Sequence, residues 1–214
     1  LMYVIVLVSV FKHKKDWHDF LSFSIFASVL MSFLGFAQYM EIPFLLASSG
    51  GKRLTGTVGN ATFFASYLVF HFFFILYFLF TKARRFSIRT FAISFLSFDI
   101  FLVSGSVLNS IASGSDWGFL NFLKAPILTE SLGHMSLFLP FLLLQGLVFV
   151  AWYYRQNKYA IPGLLSIILL FESFIIFNTQ TRGAILGLGL GFAFLAFASL
   201  FLNIENNKKF FLII

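Results

Sequence analysis

Apolar residues run through this chain in long stretches, and polar residues gather in short clusters between them. Six stretches approach the length of a bilayer-spanning helix, about 20 mostly apolar residues. They cover roughly 20–40, 61–81, 90–108, 135–152, 159–178 and 184–202. Two shorter apolar runs lie at the ends, 1–11 and 210–214. A membrane β-barrel needs segments of about 10 residues with alternating polarity; these runs are longer and apolar on all faces. The pattern predicts an all-α polytopic transmembrane helix bundle, with 1–214 as a single transmembrane domain. Span 90–108 is the least regular, because it carries Asp99 and several serines. The segment 114–128 reads as an interfacial or re-entrant helix, with Trp117 suited to headgroup level. Leu1 at the start and a fresh apolar run at Ile214 are what a piece of a longer polytopic protein would have. Lys12, Lys14 and Lys15 follow the first apolar run instead of preceding it, which argues against a signal peptide.

Composition narrows the class further. Of 214 residues 59% are hydrophobic and 11% charged, with 34 Phe and a mean hydropathy of +0.93. Soluble domains are about 45–50% apolar and about 25% charged, so a water-soluble enzyme is excluded. Disorder is excluded too, since disordered chains are poor in aromatics. Zero Cys removes disulfides, thiolate metal sites and Cys nucleophiles. No H-x-x-x-H, H-E-x-x-H or D-x-D pattern occurs, so neither a metal nor another cofactor is expected.

The net charge of +7 acquires a meaning once it is sorted by loop. One side holds Lys12, Lys14, Lys15, Lys82, Arg84, Arg85, Arg89, Arg155, Lys158, Lys208 and Lys209. The other holds Lys52, Arg53, Lys124 and Arg182. That is 11 against 4, and the positive-inside rule puts the larger group in the cytoplasm. The outer loops are then 41–60, 109–134 and 179–183. Orientation accounts for most of the basic charge, and no nucleic-acid partner is needed. Arg84, Arg85 and Arg89 hold topology and meet anionic lipid.

The four outward cations resist that bias. Arg53 stands in Gly51-Lys-Arg-Leu-Thr-Gly56-Thr-Val-Gly59-Asn60, just before a span. Gly-rich backbone lets amides approach a ligand, and amides at a helix start favour an anion. The loop is either a phosphate cradle or a flexible connection ending in an Asn60 cap. Arg182 stands in Asn178-Thr-Gln-Thr181-Arg182-Gly183-Ala, between two spans joined by almost nothing. Its guanidinium either grips a specific phosphate bidentately or snorkels to ordinary headgroups. Gly183, Gly187 and Gly191 recur every fourth residue and predict a face for close helix packing; Gly189 lies off it. His71, Asp99 and Glu172 fall inside spans, where charge is costly. His71 reads as a packed, hydrogen-bonded histidine. Asp99 and Glu172 either line a cavity or are neutral and hydrogen-bonded. His134 opens span 135–152 from the outer side, as a base or as an interfacial residue.

Two of these stretches resemble the O-antigen ligase and O-antigen polymerase superfamily. Arg53-Leu-Thr-Gly-Thr-Val-Gly-Asn60-Ala-Thr-Phe-Phe-Ala-Ser-Tyr-Leu68 is similar to its R-x-x-G-T-x-G-N-P-N-x-x-A-x-Y-L. Thr179-Gln-Thr-Arg182-Gly-Ala-Ile-Leu-Gly187-Leu is similar to its T-x-S-R-G-A-x-x-G-L. Together they cover about 26 residues. The resemblance implies a GT-C-like membrane glycosyltransferase of the bacterial inner membrane, working without a metal on the outer, periplasmic face. Its donor would be a glycan on undecaprenyl pyrophosphate. Its acceptor would be another glycan, a lipid or a protein. It implies that Arg53 and Arg182 bind the pyrophosphate, with Gly56, Gly59, Asn60, Thr181 and Gly183 as the supporting loops. Such cations would stabilise charge on the leaving pyrophosphate. Ala61, Thr62 and Thr181 depart from the family's Pro, Asn and Ser without touching either arginine. The family's essential His lies on a large outer loop after the second motif, beyond residue 214. The catalytic base is therefore unassigned, and this stretch alone is expected to lack transferase activity. A transporter or flippase of lipid-linked intermediates is the alternative; it would use Asp99, Glu172 and His71 as a polar path. A structural membrane subunit is a third reading.

Overall fold

The computed structural model describes residues 11–40, 53–81, 83–112 and 132–201, apart from the side chains of 84, 102, 103, 105–112, 132–140 and 198–201. Six α-helices occupy most of them: α1 Lys14–Tyr39, α2 Ala61–Thr81, α3 Ile88–Ala112, α4 Leu132–Tyr153, α5 Ala160–Asn178 and α6 Arg182–Phe201. No strand occurs among the described residues. Three helices, α1, α2 and α5, are long and apolar enough to cross a bilayer. The end runs 1–10 and 210–214, the segment 114–128 with Trp117, and Lys52 and Lys124 lie outside the described residues.

Each helix follows an apolar run, and the ends have local causes. α1 begins before its apolar run, where the Asp16 carboxylate accepts the His13 backbone N–H at 3.1 Å. Pro162 sits in the first turn of α5, where a missing N–H costs no helical bond. α3 runs unbroken through Asp99, whose two carboxylate oxygens accept from Gln145 of α4 at 2.9 and 3.2 Å.

α1 is the central helix, in contact with α2, α3, α4 and α5, while α6 lies outside against α2. Short turns join α2 to α3, α4 to α5 and α5 to α6, and the last two pairs pack against each other. At one end of the bundle Thr90 donates to Asp19 (2.9 Å) and the Ser87 N–H to Ser22 (2.9 Å), tying α3 to α1. One apolar cluster fills the half nearer that end, with Phe26, Phe91 and Phe95 edge to face. A second fills the opposite half around Phe64, Leu68, Ile175 and Leu188. Gly35 of α1 lies where α1, α2 and α5 converge; a Cβ there would come within 2.9 Å of Phe64 and 3.2 Å of Ile175.

The outside is as apolar as the inside. Ile100, Phe101, Leu170, Leu190 and Phe194 are each at least 67% exposed. A belt of this kind is untenable in water but suits lipid tails. The polar side chains Ser22, Ser28, Ser32, His71, Glu172, Thr179 and Thr181 are instead buried, as intramembrane polar groups are when they face a bundle interior.

Candidate functional site

The second cluster ends in a polar rim, built by the last turn of α1, the loop 53–60 and the α5–α6 turn. Leu54 is buried and anchors the loop. Gln38 holds it: Oε1 accepts the N–H groups of Thr55 (2.8 Å) and Gly56 (3.0 Å), while Nε2 donates to Thr55 Oγ1 (3.1 Å). Gly56 and Gly59 bracket a single turn of 3-10 helix, with φ of 54° and 72°. The left-handed region disfavours a Cβ, and at Gly56 a Cβ would also come within 3.1 Å of the Phe64 ring. Asn60 Oδ1 then accepts the Thr62 N–H at 2.8 Å, so Asn60 caps α2.

The second motif meets the first at this rim. α5 ends at Asn178 and α6 begins at Arg182. The reversal is completed by Gln180, whose φ of 52° is left-handed. Arg53 Nε donates to the Thr179 carbonyl at 3.2 Å, and Nη2 donates to Thr181 Oγ1 at 3.1 Å. Thr181 Oγ1 also lies 3.3 Å from the carbonyl oxygens of Ala61 and Thr179. The Arg53 guanidinium is thus bonded to the residue immediately before Arg182. Five N–H donors are available on a guanidinium; two are used here and three remain. Arg182 is exposed, and neither arginine has a carboxylate partner among the described residues. Gly183 is exposed, and where its Cβ would stand no other element lies within 4 Å among the described residues. The arrangement offers two cations and an open helix start on one surface, which is chemistry for an anion with several oxygens.

The glycine face departs from expectation. Only Gly191 meets another helix, its Cβ position lying 2.1 Å from Phe73 of α2. Gly183, Gly187 and Gly189 face open space among the described residues. The spacing is that of a packing face, but α6 touches α2 further along its length.

The groups inside the spans separate into two places. His71 Nδ1 donates to the Tyr67 carbonyl (2.8 Å), and Nε2 is hydrogen-bonded to Ser24 Oγ (2.7 Å). Glu172 is wholly buried against Ser28 of α1, with Oε1 hydrogen-bonded to Ser28 Oγ and Oε2 without a partner. Asp99 stands apart on α3 with Gln145. His134 falls in the first turn of α4, and its side chain lies outside the described ones.

Sequence reading missed Gln38, Thr179, Ser28 and Gln145. Gln38 and Gln145 were detectable as amides inside apolar runs, and Ser24, Ser28 and Ser32 as a repeat of four along one helix face. Thr179 was not detectable, because it acts through its backbone carbonyl. A comparison of the chain with protein-family models, curated proteins and solved structures finds no match.

Proposed function

We propose that the chain carries the donor-binding part of a multi-pass membrane glycosyltransferase of the O-antigen ligase and polymerase type. It would move a glycan from undecaprenyl pyrophosphate to an acceptor on the outer face of a bacterial inner membrane. Arg53 and Arg182 bind the donor pyrophosphate from the rim. The observation carrying this reading is the contact between the two motifs. Arg53 and Thr181 stand 128 positions apart in the chain, yet Arg53 bonds to the threonine adjoining Arg182. Arg53 is fixed by two of its donors and so presents the rest without rotational freedom. Arg182 supplies the second cation beside open backbone at Gly183. Two positioned cations can offset charge developing on a leaving pyrophosphate.

The transporter reading draws on the buried polar groups along α1. Ser24 bonds to His71 and Ser28 to Glu172, Ser32 Oγ has no partner among the described residues, and Asp99 lies apart with Gln145, so they form a weaker basis than the rim.

The test is binding of undecaprenyl pyrophosphate to the chain in lipid nanodiscs. Charge-assisted hydrogen bonds contribute about 1.5–3 kcal/mol each, so Arg182→Ala should weaken binding about 10- to 100-fold. Arg182→Lys should recover only part of that, since an ammonium lacks the planar fork. Arg53→Ala should weaken binding and also lower the unfolding temperature, because Arg53 ties two loops together. Unchanged affinity in both alanine variants would overturn the clamp.

A further inference from the structure

Glu172 takes no part in the reading above, yet it is the one fully buried acid among the described residues. Its neighbours offer it no cation. α1 presents Ser28 at this level, with Ser24 one turn before and Ser32 one turn after. α2 presents Tyr67, within electrostatic reach, and His71. The described side chains of α4 carry no ionisable group before Tyr153, and the only charged one on α6 is Arg182 at its start. His71 Nδ1 carries a proton to the Tyr67 carbonyl, which can only accept, and Nε2 is hydrogen-bonded to Ser24 and not to Glu172.

The same proton counting applies to Glu172. Ser28 Oγ is 2.8 Å from the carbonyl oxygen of Ile25 and is also hydrogen-bonded to Glu172 Oε1. A serine hydroxyl carries one proton, and the Ile25 carbonyl can only accept it. If Ser28 donates to Ile25, the proton between Ser28 and Glu172 comes from the carboxyl. We infer that Glu172 is a buried proton-binding site, held as a neutral acid whose Oε1–H donates to Ser28, which donates in turn to Ile25. A carboxylate there would share a single hydroxyl proton with Ile25, and its second oxygen would have none. Burial of an ion so poorly bonded is far costlier than burial of a neutral carboxyl with one unpaired oxygen. Release of the proton to solvent would leave a negative charge between α1, α2 and α5, so the state of this site is coupled to the contact of those helices. The inference does not depend on the glycosyltransferase reading.

Infrared spectroscopy of the chain in nanodiscs, with carbon-13 glutamate carboxyls, tests it. At pH 7 exposed glutamates are ionised. The wild type should nevertheless show a glutamic-acid C=O band, shifted in D2O, that Glu172→Gln removes. Asp99→Asn should leave that band in place. Ser28→Ala removes the acceptor and should move the band towards that of a free acid, a readout that does not require Glu172→Gln to fold. A wild type with carboxylate bands only, a band that survives in Glu172→Gln, or one unmoved by Ser28→Ala would overturn the proposal.

Discussion

Gly56 and Gly59 share a backbone region but not a neighbourhood, and alanine separates the two effects. At Gly59 an added Cβ meets nothing among the described residues, so only the left-handed penalty of about 1–2 kcal/mol applies. At Gly56 the Phe64 ring adds overpacking of about 1–3 kcal/mol. Thermal unfolding in detergent should therefore rank Gly56→Ala well below Gly59→Ala; equal losses would mean that the Phe64 contact is unimportant. Thr181→Ala should also destabilise, by about 1 kcal/mol, whereas Thr181→Ser keeps the hydroxyl that Arg53 uses and should match the wild type. The glycines and the Asn60 cap were legible in the sequence, because left-handed turns and helix caps are local. The engagement of Arg53 was not. Its acceptors lie on a turn 126 and 128 residues away, and one of them is a carbonyl that any residue would provide.

Helix positions were readable because an apolar run of this length has few alternatives. Each described helix lies within a few residues of its predicted span, α1 apart, whose start is set by a polar first turn. Helix facing was much less readable. Lipid and protein interior are about equally apolar, so hydrophobicity does not say which side of a run packs. The glycine repeat on α6 therefore predicted a longer packing face than the single approach at Gly191. Substitution can test this: Gly191→Leu collides with Phe73 and should loosen α6 from α2, exposing it to protease. Gly187→Leu should stay within about 0.5 kcal/mol of the wild type. The reverse order would mean that the open stretch of α6 is covered in the membrane.

For the whole molecule, sidedness is the outstanding physical quantity. Thr57 and Arg85 are both exposed and sit at opposite ends of the bundle. The chain has no Cys, so Thr57→Cys and Arg85→Cys each create a unique label site. A membrane-impermeant maleimide added to intact cells should modify position 57 and spare position 85. Labelling at 85 alone would invert the orientation and place the rim in the cytoplasm. The distribution of cations was legible from the sequence because translocation acts on loops, one at a time. The convergence of two loops into one rim depends on how α1, α2 and α5 pack, and spacing along a chain does not encode that.

The clasp between Arg53 and the α5–α6 turn also sets an order of events during biosynthesis. Its partners are separated by 126 positions, and a ribosome adds about 5–20 residues per second. Arg53 therefore emerges about 6–25 s before the carbonyl that holds it exists. Throughout that interval α1 and α2 can insert and Gln38 can already grip its loop, but the rim has no second cation and no fixed guanidinium. The two-arginine rim is consequently among the last features to mature, and a nascent chain stalled before α5 would carry α1 to α4 with Arg53 still unclasped.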